Sequence, residues 1–352
     1  MDLKRSKALQ SYFSYLAYLL SGFFIFNPLF SSGNIFLSLF ISFITSLTIF
    51  EVLMFCFLKK DSQSSCNIAT KVTSIICASL SSVSTLILIT EIIRSVAFIT
   101  NRYVSLMYYI AISVSILFVS LNLCFGKEKG IYRFCTIASV VLIITCLISV
   151  FSFISCKSIL PNTSFIKNAS SAIKQGILSG LFITSDTAIY FFAFSGFTKH
   201  QSPRSHSNVI RFSFISGYCL MGLFSLCLTL IFSDSIISEI KDPSYSLIKL
   251  IPGIDFTELL SCARICSFMI KSSVYIYTSS KLLSSSFKTK KSLENVFISL
   301  IYLSVPLLYL TSLLTNKRHQ YGAFQEYIYM FVCLLSLLIL LIHIENQKKK
   351  QQ

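Results

Sequence analysis

The residues of this sequence best able to do chemistry are charges set inside apolar runs. Asp186 stands in Ile183-Thr184-Ser185-Asp186-Thr187-Ala188, and it is the only acidic residue of its run. Arg264 and Lys271 are seven residues apart in the run from Phe256 to Phe287, so on a helix they share one face. Glu91 and Arg94 are three apart and face the same way. An ionisable group inside a membrane-length apolar run is costly and marks a functional site by default. The chemistry on offer is charge recognition. Asp186 suits a bound ammonium group, or pairs internally with Arg94 or Lys271, and the sequence leaves both readings open. Lys271 needs a carboxylate, carbonyls or water. Glu91 and Arg94 read as a self-compensating pair that supports the site from behind. Glu51, in the run from Ile35 to Leu58, reads as structural.

Catalytic and metal chemistry find little footing. A lipid-modifying enzyme would need clustered acidic or His residues in an interfacial loop. Only His200 and His206 sit together, among basic residues without a carboxylate. The 12 cysteines form no CxxC pair and no Cys/His cluster. Most lie within apolar runs (Cys56, Cys77, Cys146, Cys219, Cys227, Cys333) and read as small buried hydrophobes. The expectation is a protein that is not an enzyme and that uses no metal and no cofactor.

The composition says what positions these charges. Of 352 residues, 54% are hydrophobic and 12% charged, with a mean hydropathy of +0.74. A soluble domain is about 45–50% apolar and about 25% charged. So few charges cannot coat a soluble globule of this size, which leaves a multi-pass membrane protein. A bilayer core takes about 20 apolar residues per helix. Ten such runs are present, near Ser11–Phe30, Ile35–Leu58, Val72–Thr100, Tyr103–Phe125, Tyr132–Ile154, Ile173–Phe197, Phe212–Phe232, Phe256–Phe287, Val296–Leu314 and Tyr327–Ile344. The first follows the basic start Met1-Asp2-Leu3-Lys4-Arg5 but has no small-residue cleavage site, so it reads as a retained helix.

The net charge is +16, from 30 Lys and Arg against 14 Asp and Glu. With the N-terminus inside, Arg102, Lys157, Lys167, Lys174, Lys241, Lys249, Lys317 and Arg318 face outward, Arg94, Arg264 and Lys271 lie within spans, and the remaining 19 face inward. That asymmetry predicts both termini in the cytoplasm and argues against nucleic acid as the reason for the basic balance.

Two spans carry signs of interruption. Gly176 and Gly180 precede Asp186, and Thr184, Ser185 and Thr187 compete for backbone hydrogen bonds. The first span has Ser21-Gly22 in its middle and Asn27-Pro28 near its end. Spans one and six occupy matching positions if ten helices divide five plus five, and one enters from inside, the other from outside. Broken helices at matching places in two inverted halves are the pointer to a transporter-type site. The competing reading is that these small residues only serve helix packing. On the first reading residues 1–155 and 156–346 are the two repeats, 347–352 is a basic tail, and Ser21, Gly22, Thr184, Ser185 and Asp186 surround a ligand.

Several short motifs follow one another in an order that resembles the spore germination permeases, the membrane B subunits of bacterial germinant receptors. These belong to the amino acid–polyamine–organocation transporter superfamily. Asp242-Pro243-Ser244-Tyr245-Ser246-Leu247-Ile248 resembles the family's Tyr-Pro-x-Tyr-x-Leu segment, and Asp255-Phe256-Thr257-Glu258 its start of the eighth span. Phe268-Met269-Ile270-Lys271-Ser272-Ser273 resembles its Phe-x-Lys-x-Ser stretch. Lys129-Gly130-Ile131-Tyr132-Arg133-Phe134 is similar to the entry to the fifth span, and Leu160-Pro161 to a pair in the loop before the sixth. The chain departs from the family at Leu259 and Ser261, where it has an Arg and a second Glu, and in reducing a Gly-rich break to Gly22.

The resemblance implies an all-α fold of ten transmembrane helices, a 5+5 inverted repeat of LeuT-like type with helices 1 and 6 broken. It implies a small-molecule pocket between helices one, three, six and eight. The implied function is binding of a nutrient germinant such as an amino acid, in the bacterial cell membrane or spore inner membrane. The implied partners are an A subunit and a lipoprotein C subunit. Superfamily members often hold a sodium ion between helices one and eight, and Lys271 would replace it, as an ion-coupling or helix-linking group. A free-standing proton- or sodium-coupled amino acid permease is the alternative on the same fold.

Overall fold

Long helices rich in apolar residues make up the described chain, with many of their serines turned inward. The computed structural model describes residues 2–26, 35–58, 106–155, 169–194, 203–232, 243–249 and 256–287. They form α1 (Asp2–Phe26), α2 (Ile35–Leu58), α3 (Leu106–Phe125), α4 (Lys127–Ser155), α5 (Ala169–Phe194), α6 (Pro203–Ile231), α7 (Pro243–Ile248) and α8 (Thr257–Phe287). Thus α1 and α2 are the first two expected spans, α3 to α6 the fourth to seventh, and α8 the eighth. The third, ninth and tenth lie outside the described residues.

Four of these helices are long and apolar enough to cross a membrane, over Leu37–Met54, Lys127–Phe151, Ser207–Leu228 and Glu258–Lys281. Among the described residues there is no strand. The protein is an all-α membrane protein. Its outward faces have the matching pattern. On α4 the exposed residues Ile137, Val140, Ile144, Leu147 and Phe151 recur every three or four positions, while Cys135, Ala138, Leu142 and Cys146 are buried behind them. On α2 Phe40, Ile44 and Val52 are exposed and Ser38, Ser42, Ser46 and Phe50 buried. Polar residues in and large apolar residues out is the arrangement that acyl chains favour, because lipid gives apolar side chains no reason to turn inward.

The residue contacts give each helix a direction. α1 runs parallel to α4, through Ser11 with Tyr132 and Ser14 with Cys135. It also runs parallel to α6, through Tyr12 with Phe212 and Phe23 with Phe224. α2 runs antiparallel to α6, where Glu51 meets Arg211 and Ser46 meets Tyr218. α5 and α8 run parallel, with Ile189 at Thr278 and Ala193 at Lys281. One set of starts and ends therefore gathers at each end of the bundle. Between α3 and α4 the chain reverses at Gly126 in a tight turn, closed by Gly130 N–H donating to the Gly126 carbonyl at 3.1 Å. Lys127 takes the left-handed conformation there, at φ 55°.

The expected interruptions of helices 1 and 6 are a point of correction. α1 runs unbroken through Ser21-Gly22, and α5 runs unbroken through Gly176, Gly180 and Ile183–Ala188. The polar residues are occupied without breaking the ladder. Ser21 Oγ donates to the Ala17 carbonyl at 2.6 Å, and Thr187 Oγ1 to the Ile183 carbonyl at 2.9 Å, each one turn back in its own helix. The glycines are occupied by packing. A Cβ on Gly176 would stand 2.6 Å from the Ser38 carbonyl oxygen, and one on Gly180 2.8 Å from that of Ser42. Gly176-xxx-Gly180 thus lets α5 lie directly against the Ser38-xxx-Ser42-xxx-Ser46 stripe of α2, parallel to it. Ser46 Oγ closes the seam with a hydrogen bond to the Gly180 carbonyl at 3.2 Å. Asn27 and Pro28 lie outside the described residues.

Candidate functional site

α1 is buried on all sides from Ser14 to Ile25. A helix apolar all round belongs in the middle of a bundle. Its few hydroxyls must then find partners, since hydrocarbon offers none. Tyr190 OH of α5 donates to Ser14 Oγ at 3.0 Å, and Tyr132 OH of α4 to Ser11 Oγ at 3.2 Å. Tyr15 OH meets Thr187 Oγ1 at 3.2 Å. The rings of the same residues pack together: Tyr15 and Phe191 stack at 5.8 Å, and Tyr190 stands 4.6 Å from Phe194. The sides of α1 that meet α4 and α5 are therefore aromatic and hydroxyl-bearing.

Lys271 reaches α1 from α8. It is 1% exposed, and its Nζ lies 3.6 Å from the centre of the Tyr18 ring. Tyr18 in turn packs on Tyr190 at 5.0 Å. An ammonium over a ring face, away from water, is attracted by about 2 kcal/mol. The next residues of α8 are also buried and polar. Ser272 Oγ meets Ser120 Oγ of α3 at 2.7 Å, and the Ser273 carbonyl accepts from Cys124 Sγ at 3.3 Å. Arg264, two turns before Lys271 on the same face, is 3% exposed.

At the end of the bundle where α4 begins and α5 and α8 finish, a second charged group is assembled. Lys281 Nζ donates to Glu128 Oε1 at 2.8 Å and to the Ala193 carbonyl at 2.7 Å. Tyr277 OH donates to the same carboxylate at 3.4 Å. The two charged side chains are 24% and 19% exposed. At the same end, Arg211 grips Glu51 through two hydrogen bonds of 2.7 and 2.6 Å, joining α6 to α2 at the surface.

The expected site residues divide as follows. Lys271 lies between α8 and α1 at the centre. Ser21 is buried on α1 and turned to its own backbone. Gly22 is buried one position further. Thr184, Ser185 and Asp186 lie on helical backbone of α5, directly after Ile183 and one to two turns before Tyr190, but their side chains lie outside the described residues. So do Glu91 and Arg94 entirely. The sequence reading missed Tyr18, Tyr132 and Tyr190, because aromatic residues in an apolar span look like ordinary core. It also missed the pairing of Glu128 with Lys281, because it counted Lys281 only among the inward-facing basic residues and gave Glu128 no place. Among the described residues no group of three or more His, Cys, Asp or Glu is placed to hold a metal ion. Comparison with known protein families and with curated proteins finds no match.

Proposed function

We propose that this protein is a permease-type membrane subunit that binds a small nutrient, an amino acid or similar molecule, beside α1, α5 and α8. The observation that carries the reading is the buried Lys271 ammonium over Tyr18. A charge held at the centre of a membrane protein is costly to keep, and a purely structural bundle has no need of it. The ring and hydroxyl surface of α1 and α5 next to it suits the polar and apolar parts of a small zwitterion.

The helix directions support ten crossings. α1, α4 and α6 run one way and α2, α3, α5 and α8 the other, as alternation through spans one, two and four to eight requires. The seams agree with an inverted repeat as well. Such a repeat maps span one on six and span two on seven, so a seam between two and six has its mate between seven and one. Both seams are closely packed here, as α2 on α5 and α1 on α6. In this reading the A and C subunits of a spore germinant receptor are the partners and the spore inner membrane is the site of action, both suggested by the sequence resemblance. An ion-coupled amino acid permease is favoured by the same buried ammonium, and it differs in carrying substrate across.

The test is ligand-induced thermal stabilisation of the purified protein in nanodiscs, against a panel of L-amino acids. A ligand at 100 times its Kd adds about 2.7 kcal/mol. Asp186→Asn is expected to fold normally and to weaken the response to an amine-bearing ligand. An unchanged dose–response would remove Asp186 from the site, and no stabilisation by any nutrient would remove the proposal. Uptake into proteoliposomes separates permease from sensor.

A further inference from the structure

A hydroxyl buried in a membrane helix usually bonds back to its own backbone. On α8, Ser272, Ser273, Thr278, Ser279 and Ser280 each donate to a carbonyl three or four residues behind them. Ser267 does not. Its Oγ is fully buried and makes no hydrogen bond among the described residues. A buried polar group left without a bond is costly and calls for a partner. Its neighbours say which kind. Ser267 lies three residues after Arg264 and four before Lys271, and the three share one face of α8. Arg264 is 3% exposed and Lys271 1%. An unbonded hydroxyl thus stands midway between two buried cations.

We propose that Arg264, Ser267 and Lys271 hold the carboxylate of the bound nutrient, so that α8 selects ligands by their acid group. This rests on the nutrient-binding reading above and places one end of the ligand. α1 and α8 pack together in opposite directions, with Lys271 at Tyr18. One turn back along α8 therefore brings Ser267 level with Ser21 and Gly22 of α1. Backbone cannot serve a carboxylate there. α1 runs unbroken through Ser21-Gly22 and α5 through Ile183–Ala188, so their N–H groups are spent within the helices. The donors must come from side chains, and this face of α8 carries them. A guanidinium fork matches the two oxygens of a carboxylate, and the Ser267 hydroxyl supplies a further donor. The Lys271 ammonium adds a second positive charge. Seven residues rise about 10 Å along a helix, a span that two long side chains and a carboxylate between them fill. In return the carboxylate offsets the repulsion of two like charges and the cost of keeping both from water.

The test uses the purified protein in nanodiscs and reads thermal stabilisation. The probes are the panel of L-amino acids and, for each, its primary amide, which keeps the amino group and side chain but loses the negative charge. At least one acid is expected to stabilise the protein, with its amide weaker by roughly tenfold or more, the scale of losing a hydrogen bond to a charged group. Ser267→Ala adds a second signature. Removing an unbonded hydroxyl is expected to leave the unliganded protein at least as stable as the native one. The same variant is expected to need roughly tenfold more of the acid for the same stabilisation. Arg264→Gln is expected to shift the acid response further still, and Ser267→Ala carries the test should that variant fail to insert.

An amide that binds as tightly as its acid would overturn the carboxylate site and leave the nutrient-binding reading standing. Native acid affinity in Ser267→Ala would do the same. Lower stability of unliganded Ser267→Ala would show the hydroxyl to serve the fold, and would also overturn the site. No response to any amino acid or amide would remove the nutrient-binding reading itself, and this inference with it.

Discussion

Lys271 is the residue in which sequence and structure meet most directly. Its charge inside an apolar run was enough to single it out, and the structure sets its ammonium over the ring of Tyr18, between α8 and α1. Two substitutions separate charge from packing. Tyr18→Phe keeps a ring under the ammonium and is expected to leave thermal stability nearly unchanged. Tyr18→Leu removes the ring and leaves the charge buried, at a cost of about 2 kcal/mol, read as a lowered unfolding temperature in nanodiscs. Lys271→Met fills similar volume without a charge. It is expected to insert normally and to lose the response to nutrient, because the charge serves function more than folding. A normal response in that variant would show the ammonium to be dispensable. Tyr18 itself could not be found from the sequence. A tyrosine among Leu16, Ala17, Leu19 and Leu20 carries no mark of the partner that folding brings from 253 positions away.

At the scale of elements, the seam between α2 and α5 explains why small residues recur where they do. Gly176 and Gly180 were open to two readings, a broken helix or a close contact, and the unbroken α5 against Ser38 and Ser42 favours contact. Local sequence cannot separate the two, since a glycine that loosens a helix is the same glycine that admits a neighbour. Gly180→Val sets two methyl groups where a single Cβ would already stand 2.8 Å from the Ser42 carbonyl oxygen. The seam must open to admit it, at about 1–3 kcal/mol, the usual cost of overpacking. Ser46→Ala removes the bond to Gly180 and the hydroxyl that meets Tyr218, and about 1 kcal/mol of stability with it. The order of thermal stability expected is native, then Ser46→Ala, then Gly180→Val. A Gly180→Val protein as stable as the native one would mean that α5 does not rely on this close approach.

At the scale of the whole molecule, the ends of the helices carry the information. Glu51 and Arg211 pair where α2 nears its end and α6 its beginning, and Glu128 and Lys281 pair at the start of α4 near the finish of α8. The charge asymmetry of the loops predicts that this end lies in the cytoplasm. A cysteine introduced at Ser205, just before α6 enters the bundle, is expected to react with an impermeant reagent from the cytoplasmic side alone. Reaction from outside would invert the orientation.

The sequence by itself determined that the protein lives in a membrane, that it is helical, where α2, α3, α5 and α8 begin and end to within about four residues, and which charges are out of place. These follow from composition and local run length, which need no partner to be read. α2 matches its expected limits, and α8 does so within a residue. α1, α4 and α6 extend further at their charged starts, because a helix can continue past the bilayer into water. Only the tertiary structure decided which faces meet: Tyr18 under Lys271, Ser14 with Tyr190, and Lys281 on the end of α5. In a chain where nearly every face is apolar, burial pattern cannot choose among neighbours. That choice rests on a few hydroxyls, glycines and charges whose partners lie far along the chain, and folding alone brings them together.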